Sequence, residues 1–234
     1  ELHLSVLIET MRREGYELAV SRPTVIERTI DGVVHEPWEL VTVDFAEEHQ
    51  GAVMTRLADR KGELLNMSPD GRGRMRLEYR IPARGLIGFR TQYLTITAGT
   101  GLLYSVFETY APRVKSDIGQ RVNGVMVSNV AGKALGYSLF NLQERGSLFL
   151  SHGVQVYEGM IVGIHKRAND LPVNPTKGKQ LTNIRAAGTD ENIQLTPPLN
   201  YSLEQALEFI DDDELVEITP LNIRLRKKLL AEGE

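Results

Sequence analysis

Residues 72–81 read Arg-Gly-Arg-Met-Arg-Leu-Glu-Tyr-Arg-Ile, and this stretch is the clearest strand pattern in the first half of the chain. From Arg74 onward, apolar side chains alternate with charged ones, which predicts a strand with one buried face. Around it the pattern predicts, in chain order, a strand at 38–45, a helix at 47–61, a strand at 64–68, a helix at 86–98 and a strand at 102–110. The order β-α-β-β-α-β predicts a ferredoxin-like domain at residues 36–112.

The predicted sheet has a face that could serve as a docking surface. Both helices of this topology cover one side of the sheet, so the charged residues of the 72–81 strand face away from them. The sequence therefore predicts a secondary basic face for RNA or protein, made of Arg74, Arg76, Arg80 and Arg84. The alternative is a charged face that contacts only water.

The rest of the chain divides into two further segments. Residues 1–35 contain a helical pattern, a short strand and a hairpin-like linker, and are expected to be the tail of a truncated domain. Residues 113–234 are rich in short glycine-punctuated apolar segments, which predict a β-rich, small barrel-like C-terminal domain. Its one main helix is expected to begin at a capping box formed by Ser202 and Gln205. The predicted class is α+β throughout.

The stretch 165–191 is the main candidate for function. It is polar and basic, and Asn174-Pro175 and Lys177-Gly178 predict a long exposed loop without regular structure. Cations with short hydrogen-bonding side chains suit a phosphate backbone. We expect RNA to be bound by His165, Lys166, Arg167, Asn169, Lys177, Lys179, Asn183 and Arg185. The alternative is a solvated loop with no ligand.

Composition excludes several classes of function. The 234 residues carry a net charge of −4, so attraction to RNA requires a local basic patch. There is no cysteine, and no apolar run has the length of a membrane span. The two Gly-Lys pairs, at 132–133 and 178–179, lack the following hydroxyl residue of a phosphate-binding loop. The histidines lack metal-ligand spacing. We expect no catalytic residue, metal site or membrane contact.

The first half resembles translational GTPases of the elongation factor G type. The resemblance rests on Glu1-Leu2-His3-Leu4 heading a helix, on Arg22-Pro23, and on the runs Gly62–Met67 and Ile81–Phe89. It implies the end of domain III followed by domain V of such a GTPase.

The second half is similar to the C-terminal domain of the BipA (TypA) family of translational GTPases. The carrying residues are Asn141–Gly146, Gly163-Ile164-His165, Asn169-Asp170-Leu171 and above all Lys179–Glu191. The resemblance implies a fragment without enzymatic activity, because the GTPase domain that would bind GTP and Mg²⁺ lies upstream of Glu1.

The resemblance also implies partners. Domain V would approach the stalk base and sarcin–ricin region of the large ribosomal subunit, and the C-terminal domain would enter the A site. There its basic loop would contact 23S rRNA and the acceptor arm of a tRNA. A cytoplasmic, monomeric protein acting in stress adaptation or ribosome assembly is expected.

Two other interpretations of the function stay open. The chain could be a protein–protein regulatory module that docks through the acidic residues 211–217. Such a module could instead dock through the apolar faces of its sheets. A third possibility is an enzyme acting on a small phosphorylated ligand, because a basic loop alone can hold an anion. Binding to RNA should weaken steeply with salt, whereas apolar docking should barely change.

Overall fold

The structure is a computed structural model that describes residues 2–116, 118, 121–178 and 194–230. The chain forms two units. The first unit comprises residues 23–120, and the second unit comprises residues 1–22 together with 121–234. Helix α1 (Leu2–Arg13) and strand β1 (Leu18–Ser21) therefore belong with the C-terminal half of the chain.

The first unit has the predicted β-α-β-β-α-β order. Its elements are β2 (Arg28–Ile30), β3 (Val33–Ala46), α2 (Gln50–Asp59), β4 (Glu63–Pro69), β5 (Arg74–Pro82), α3 (Phe89–Ile96) and β6 (Leu102–Pro112). Short 3-10 turns, Glu47–His49 and Ala83–Leu86, precede the two helices. The sheet runs β4-β5-β3-β6 with every neighbouring pair antiparallel, and β2 extends it as a hairpin on β3. This is the ferredoxin-like arrangement, which confirms the prediction.

Alternation along the strands builds the core of the first unit. Val43, Phe45 and Leu77 have no exposed surface and pack with Val53 and Leu57 of α2. Full burial of each such side chain contributes about 1.5–3 kcal/mol relative to exposure. The charged side chains of β5 lie on the opposite face, as the sequence predicts.

The second unit is built on a seven-stranded sheet. Its remaining elements are β7 (Val125–Ser128), β8 (Gly132–Lys133), α4 (Gly136–Gln143), β9 (Gly146–Leu148), β10 (Gln155–Val156), β11 (Met160–His165), β12 (Leu171–Val173), α5 (Leu203–Phe209), β13 (Glu214–Ile218) and β14 (Ile223–Lys227). The sheet order is β1-β13-β14-β11-β7-β12, with β9 also paired to β11. Only β12 and β7 are parallel among these pairs of described strands. A separate ribbon joins β8 and β10.

Three features of the second unit differ from the sequence prediction. Within the described residues the sheet is open, not barrel-like, because β1 and β12 end the path without pairing to each other. The apolar segment 135–142 is helix α4, so two helices stand where one main helix was expected. Strand β12 interrupts the predicted loop 165–191. The capping box of Ser202 and Gln205 at the start of α5 is confirmed.

The two units are not divided where the predicted segments are. Strand β1 pairs with β13, from Leu18 opposite Ile218 to Ser21 opposite Leu215. Ile8 of α1 is buried in the same core cluster as Leu207 of α5. These contacts join the N-terminal residues to a strand and a helix close to the other end of the chain. The assignment of residues 1–35, 36–112 and 113–234 to three separate domains stays a prediction.

Candidate nucleic-acid interface around helix α4

The turn after β11 holds four of the predicted RNA-binding residues in a defined geometry. His165, at the end of β11, is 6% exposed, and its Nδ1 lies 2.6 Å from the carbonyl oxygen of Asn169. A carbonyl can only accept, so Nδ1 carries the hydrogen and donates it. Asn123 Nδ2 donates to the His165 carbonyl at 2.9 Å. The buried ring of His165 therefore shapes the turn, while Lys166, Arg167 and Asn169 are exposed.

Gly124 allows the turn to pack directly on β7. Its N–H donates to the Arg167 carbonyl at 2.8 Å, and its carbonyl accepts from the His165 N–H at 2.9 Å. A Cβ at Gly124 would lie 2.2 Å from the Asn169 oxygen, closer than any real contact. Glycine is the residue that fits this close approach of two backbone segments.

Asp170 closes the turn and connects it to a buried ionic cluster. Its carboxylate accepts from the Val125 N–H at 2.8 Å and pairs with Lys227 Nζ at 2.6 Å. The same ammonium lies 2.8 Å from Asp213 and 3.0 Å from Glu214. Asp170 thus ties the turn to the strand β14 and is not available as a free carboxylate.

Glu214 and Arg121 form the centre of this cluster. Glu214 is 0% exposed, and Arg121 donates to both of its oxygens, at 2.8 and 2.9 Å. Burial works against the charge of Glu214, but the hydrogen bonds from Arg121 outweigh it and lower its pKa. Burial likewise works against the charge of Lys227, but its hydrogen bonds to Asp170 and Asp213 leave its pKa raised. Such paired, hydrogen-bonded ions hold a specific arrangement.

We expect acid to weaken the second unit through Glu214. Its folded pKa lies below the ordinary value of 4.5, so its contribution is complete above that pH and is lost as pH falls through the folded pKa. Burial raises the pKa of Asp211, which has the opposite effect and offsets part of the loss. Urea unfolding followed by circular dichroism between pH 6 and 3 measures this. Glu214→Gln should flatten the dependence, and Asp211→Asn should steepen it; an unchanged slope in Glu214→Gln would contradict the assignment.

The acidic stretch proposed for protein docking is largely engaged inside the second unit. Asp211 lies 3.5 Å from both Arg22 and Arg121, and Asp213 pairs with Lys227. Glu217 accepts from Tyr157 at 2.6 Å and from Arg224 at 3.3 Å. These contacts place Asp211, Glu214 and Glu217 within the unit, whereas the side chains of Asp212 and Asp213 are 74% and 67% exposed.

Helix α4 holds the second basic segment, residues 174–178. Ser138 Oγ donates to the Asn174 carbonyl at 2.6 Å, and the Leu135 N–H donates to the Pro175 carbonyl at 2.9 Å. Asn174 Oδ1 in turn accepts from the N–H of Thr176 at 2.9 Å. This anchored turn presents Lys177, which is exposed.

The C-terminal end of α4 contacts two more segments. Gln143 donates to the Gln194 carbonyl at 3.1 Å and accepts from the Thr196 N–H at 3.0 Å. Lys166 Nζ donates to the carbonyl of Glu144 at 2.9 Å, beside the helix end, where a cation is favoured. We call α4 with the segments 165–170, 174–178 and 194–196 the α4 region.

The α4 region concentrates positive charge in a chain whose net charge is −4. Lys166, Arg167 and Lys177 are exposed there, and so are Lys133 of β8 and Arg145, which lie close in sequence to the two ends of the helix. The sequence prediction does not include Lys133 and Arg145, because the apolar segments between them predict strands and not a helix. The helical spacing of buried residues in α4 is the signal that points to them. Lys179, Asn183 and Arg185 lie outside the described residues.

The secondary basic face of the first unit carries carboxylates beside its arginines. Arg74 lies 2.5 Å from Asp44, and Arg80 lies 2.6 Å from Glu108 and stacks over the Trp38 ring at 4.4 Å. Arg84 pairs at 2.5 Å with the fully buried Glu36 and donates to two backbone carbonyls. Arg76 is exposed. Binding of RNA on this face stays a prediction, with Arg76 as its most available cation.

The described residues contain no cluster of three or more His, Asp or Glu side chains able to hold a metal ion. Within that same part of the chain, every helix is too short or too polar to cross a membrane. Residues 132–134 do not form the phosphate-binding loop of a nucleotide site. Ala134, which follows Gly132-Lys133, is buried and has no hydroxyl to bind the Mg²⁺ of a nucleotide.

Comparison with known proteins gives two matching family models. The TypA/BipA C-terminal domain matches residues 123–232, and the elongation factor G C-terminus matches residues 33–121. Among solved structures, a protein from Thermus thermophilus aligns with 36% of this chain and 12% of its own, at 24% identity and a TM-score of 0.34. That likeness is too weak to support an argument.

Curated relatives match over the whole chain. Proteins named large ribosomal subunit assembly factor BipA are 63% identical in Salmonella typhimurium, 64% in Haemophilus influenzae and 59% in Buchnera aphidicola, each over 234 residues. The match covers 100% of this chain and 38–39% of each relative, so the chain spans about two fifths of their length. With two consecutive domain models and this identity along its full length, the chain belongs to the TypA/BipA family.

Proposed function

We propose that the chain is a ribosome-binding part of a large-subunit assembly factor and that the α4 region contacts ribosomal RNA. The observation that carries the proposal is the group of five exposed cations around α4, in a protein that is acidic overall. Relatives named large ribosomal subunit assembly factors point to the same partner. A phosphate backbone would be neutralised by these cations with release of its counterions.

Two of the five cations project from anchored turns. Lys177 and Arg167 project from turns whose backbones are held by hydrogen bonds, so their positions are partly preorganised. Asn169, exposed beside Arg167, offers a hydrogen-bonding group to a sugar or phosphate. His165 and Asp170 shape the turn from the protein side. The proposal extends to 23S rRNA and an A-site tRNA as the contacted RNAs, and to the stalk-base region for the first unit.

The proposal assigns GTP hydrolysis to the part of the relatives' length that this chain does not span. Neither Gly-Lys pair of the chain continues into a phosphate-binding loop, so GTP and Mg²⁺ have no evident site in it. A ribosomal partner would make the protein cytoplasmic, and we propose that it acts as a monomer. Stress adaptation is a further proposed setting for this activity.

The test is co-sedimentation of the 234-residue chain with bacterial large subunits across a salt series. We expect the Arg167→Glu/Lys177→Glu variant to bind about 10- to 100-fold more weakly at low salt, with a smaller slope of log affinity against log salt. Both residues are exposed, so thermal stability should be retained.

A matched control reverses two exposed cations elsewhere in sequence, Arg13 and Arg56, to glutamate. This variant has the same net charge as the first and should bind nearly as the parent chain does. Equal weakening by both variants would show a nonspecific charge effect. Binding that is strong but independent of salt would favour a protein partner for this chain and contradict the proposal.

A further inference from the structure

Helix α4, on which the basic segments are anchored, presents two aromatic rings to solvent. Tyr137 is 40% exposed and Phe140 is 39% exposed. They stand at i and i+3, which places neighbouring side chains on one helix face. The opposite face carries Ser138, Leu139 and Leu142, which are buried. The helix therefore has a packed inner face and a separate aromatic outer face.

The aromatic face lies between backbone anchors of the basic segments. The residues before Gly178 bind near the first turn of α4, through Leu135 and Ser138. The residues from Gln194 onward bind at its last residue, Gln143. Lys166 reaches the carbonyl of Glu144 at the same end. An eight-residue helix is about 12 Å long, so the anchors of the basic segments lie within a short distance of the two rings along the helix.

We propose that Tyr137 and Phe140 form a stacking platform for unpaired bases of the RNA that the α4 region binds; this rests on the proposed function. Cations at both ends of the helix suit a strand of phosphates, and rings between them suit the attached bases. In an A-form duplex the base faces are stacked on one another and unavailable to a side chain. The structure thus favours single-stranded RNA, a loop, bulge or end, with one or two bases on α4.

Charge decides between RNA and a protein partner at this surface. The exposed cations of the α4 region and its flanks outnumber its exposed carboxylates, Glu144 and Asp170, and Asp170 already pairs with Lys227; the cations are Lys133, Arg145, Lys166, Arg167 and Lys177. An apolar protein contact would require desolvating these cations, whereas an RNA strand supplies a phosphate for each nucleotide. The excess of positive charge complements RNA.

The test measures binding of the 234-residue chain to a labelled single-stranded RNA of about 12 nucleotides and to a duplex of the same length, by fluorescence anisotropy. The Tyr137→Leu/Phe140→Leu variant keeps apolar bulk but removes both rings. We expect its affinity for the single strand to fall about tenfold or more, and its affinity for the duplex to change less than about twofold. The salt slope should stay unchanged, because no cation is lost.

Tyr16→Leu is the matched control, because it removes an exposed ring of the same unit outside the α4 region and should bind the single strand as the parent chain does. Thermal melting checks that both variants remain folded. Equal losses on both RNAs, or no loss on the single strand, would overturn the stacking platform while leaving a basic RNA contact in place. If the parent chain binds neither RNA nor ribosomal particles at low salt, the proposed function itself fails.

Discussion

Replacing Arg121 with methionine should lower the free energy of unfolding of the second unit by about 3–5 kcal/mol. The guanidinium donates to both oxygens of the fully buried Glu214 and to the carbonyl of Phe209. Methionine fills similar space but leaves the Glu214 carboxylate in the interior with Lys227 as its remaining cation. A buried charge that loses its main partner is strongly destabilising, and this loss is a large share of a typical domain's stability.

Urea unfolding with two signals measures the effect in each unit. Trp38 is the only tryptophan of the chain and belongs to the first unit, so its fluorescence reports that unit. Circular dichroism reports both units. We expect Arg121→Met to move part of the circular dichroism transition to lower urea while the Trp38 transition keeps its midpoint. An equal shift of both signals would contradict a local role.

Two comparison variants test whether the lost stability comes from the unpaired charge of Glu214. Arg121→Met/Glu214→Gln removes both charges, so its loss should be smaller than the sum of the single losses. Arg56→Met breaks an exposed pair with Asp59 on α2 and should cost less than about 1 kcal/mol. If Arg121→Met cost no more than Arg56→Met, the buried cluster would not hold the second unit together.

The fold of the first unit could be predicted from sequence because its elements show local patterns. The alternation of Met75, Leu77, Tyr79 and Ile81 with charged residues is the burial pattern that β5 shows in the structure. The turn Asp31-Gly32 joins β2 to β3, with both residues at positive φ. In such a domain, the alternation of buried residues and the residue types of the turns both agree with the tertiary structure. Patterns within short segments are therefore sufficient to predict its fold.

The second unit was less predictable because its decisive contacts are distant in sequence. Nothing local to β1 indicates that Leu18 pairs with Ile218, or that β12 runs parallel to β7. Short apolar segments between glycines predict strands, and the α4 segment is one of them. The buried positions 138, 139 and 142 have helical spacing, which indicates a helix. The residue types of the segment, Tyr, Leu and Phe, favour a strand instead.

Some features of the candidate site could be predicted from local sequence, and others depend on distant segments of the chain. Exposure of Lys166, Arg167 and Lys177 follows from a polar stretch with turn residues, which sequence shows directly. The burial of His165 and the pairing of Arg84 with Glu36 depend on where other segments fold. A list of basic residues therefore contains both exposed cations and structural ones, and only the structure separates them.

Replacing Gly124 with alanine is the second change for which we expect a large effect, about 3 kcal/mol of lost stability, at the upper end of the usual cost of overpacking. The new Cβ would lie 2.2 Å from the Asn169 oxygen and 2.7 Å from the Asp170 nitrogen, so backbone must move. Movement of this turn breaks the bonds from Gly124 to Arg167 and from Val125 to Asp170. The turn that presents Lys166 and Arg167 then loses its support, so RNA affinity should fall together with stability.

Comparison with two other variants separates these effects. Arg167→Gln should lower RNA affinity without changing the unfolding midpoint, because its side chain is exposed. Gly51→Ala in α2 meets open space and should leave both affinity and stability intact, or stabilise slightly. Unfolding midpoints and RNA affinities of all three variants test the link. A Gly124→Ala protein that is destabilised but binds RNA normally would show that the turn after β11 supports the fold and not the interface.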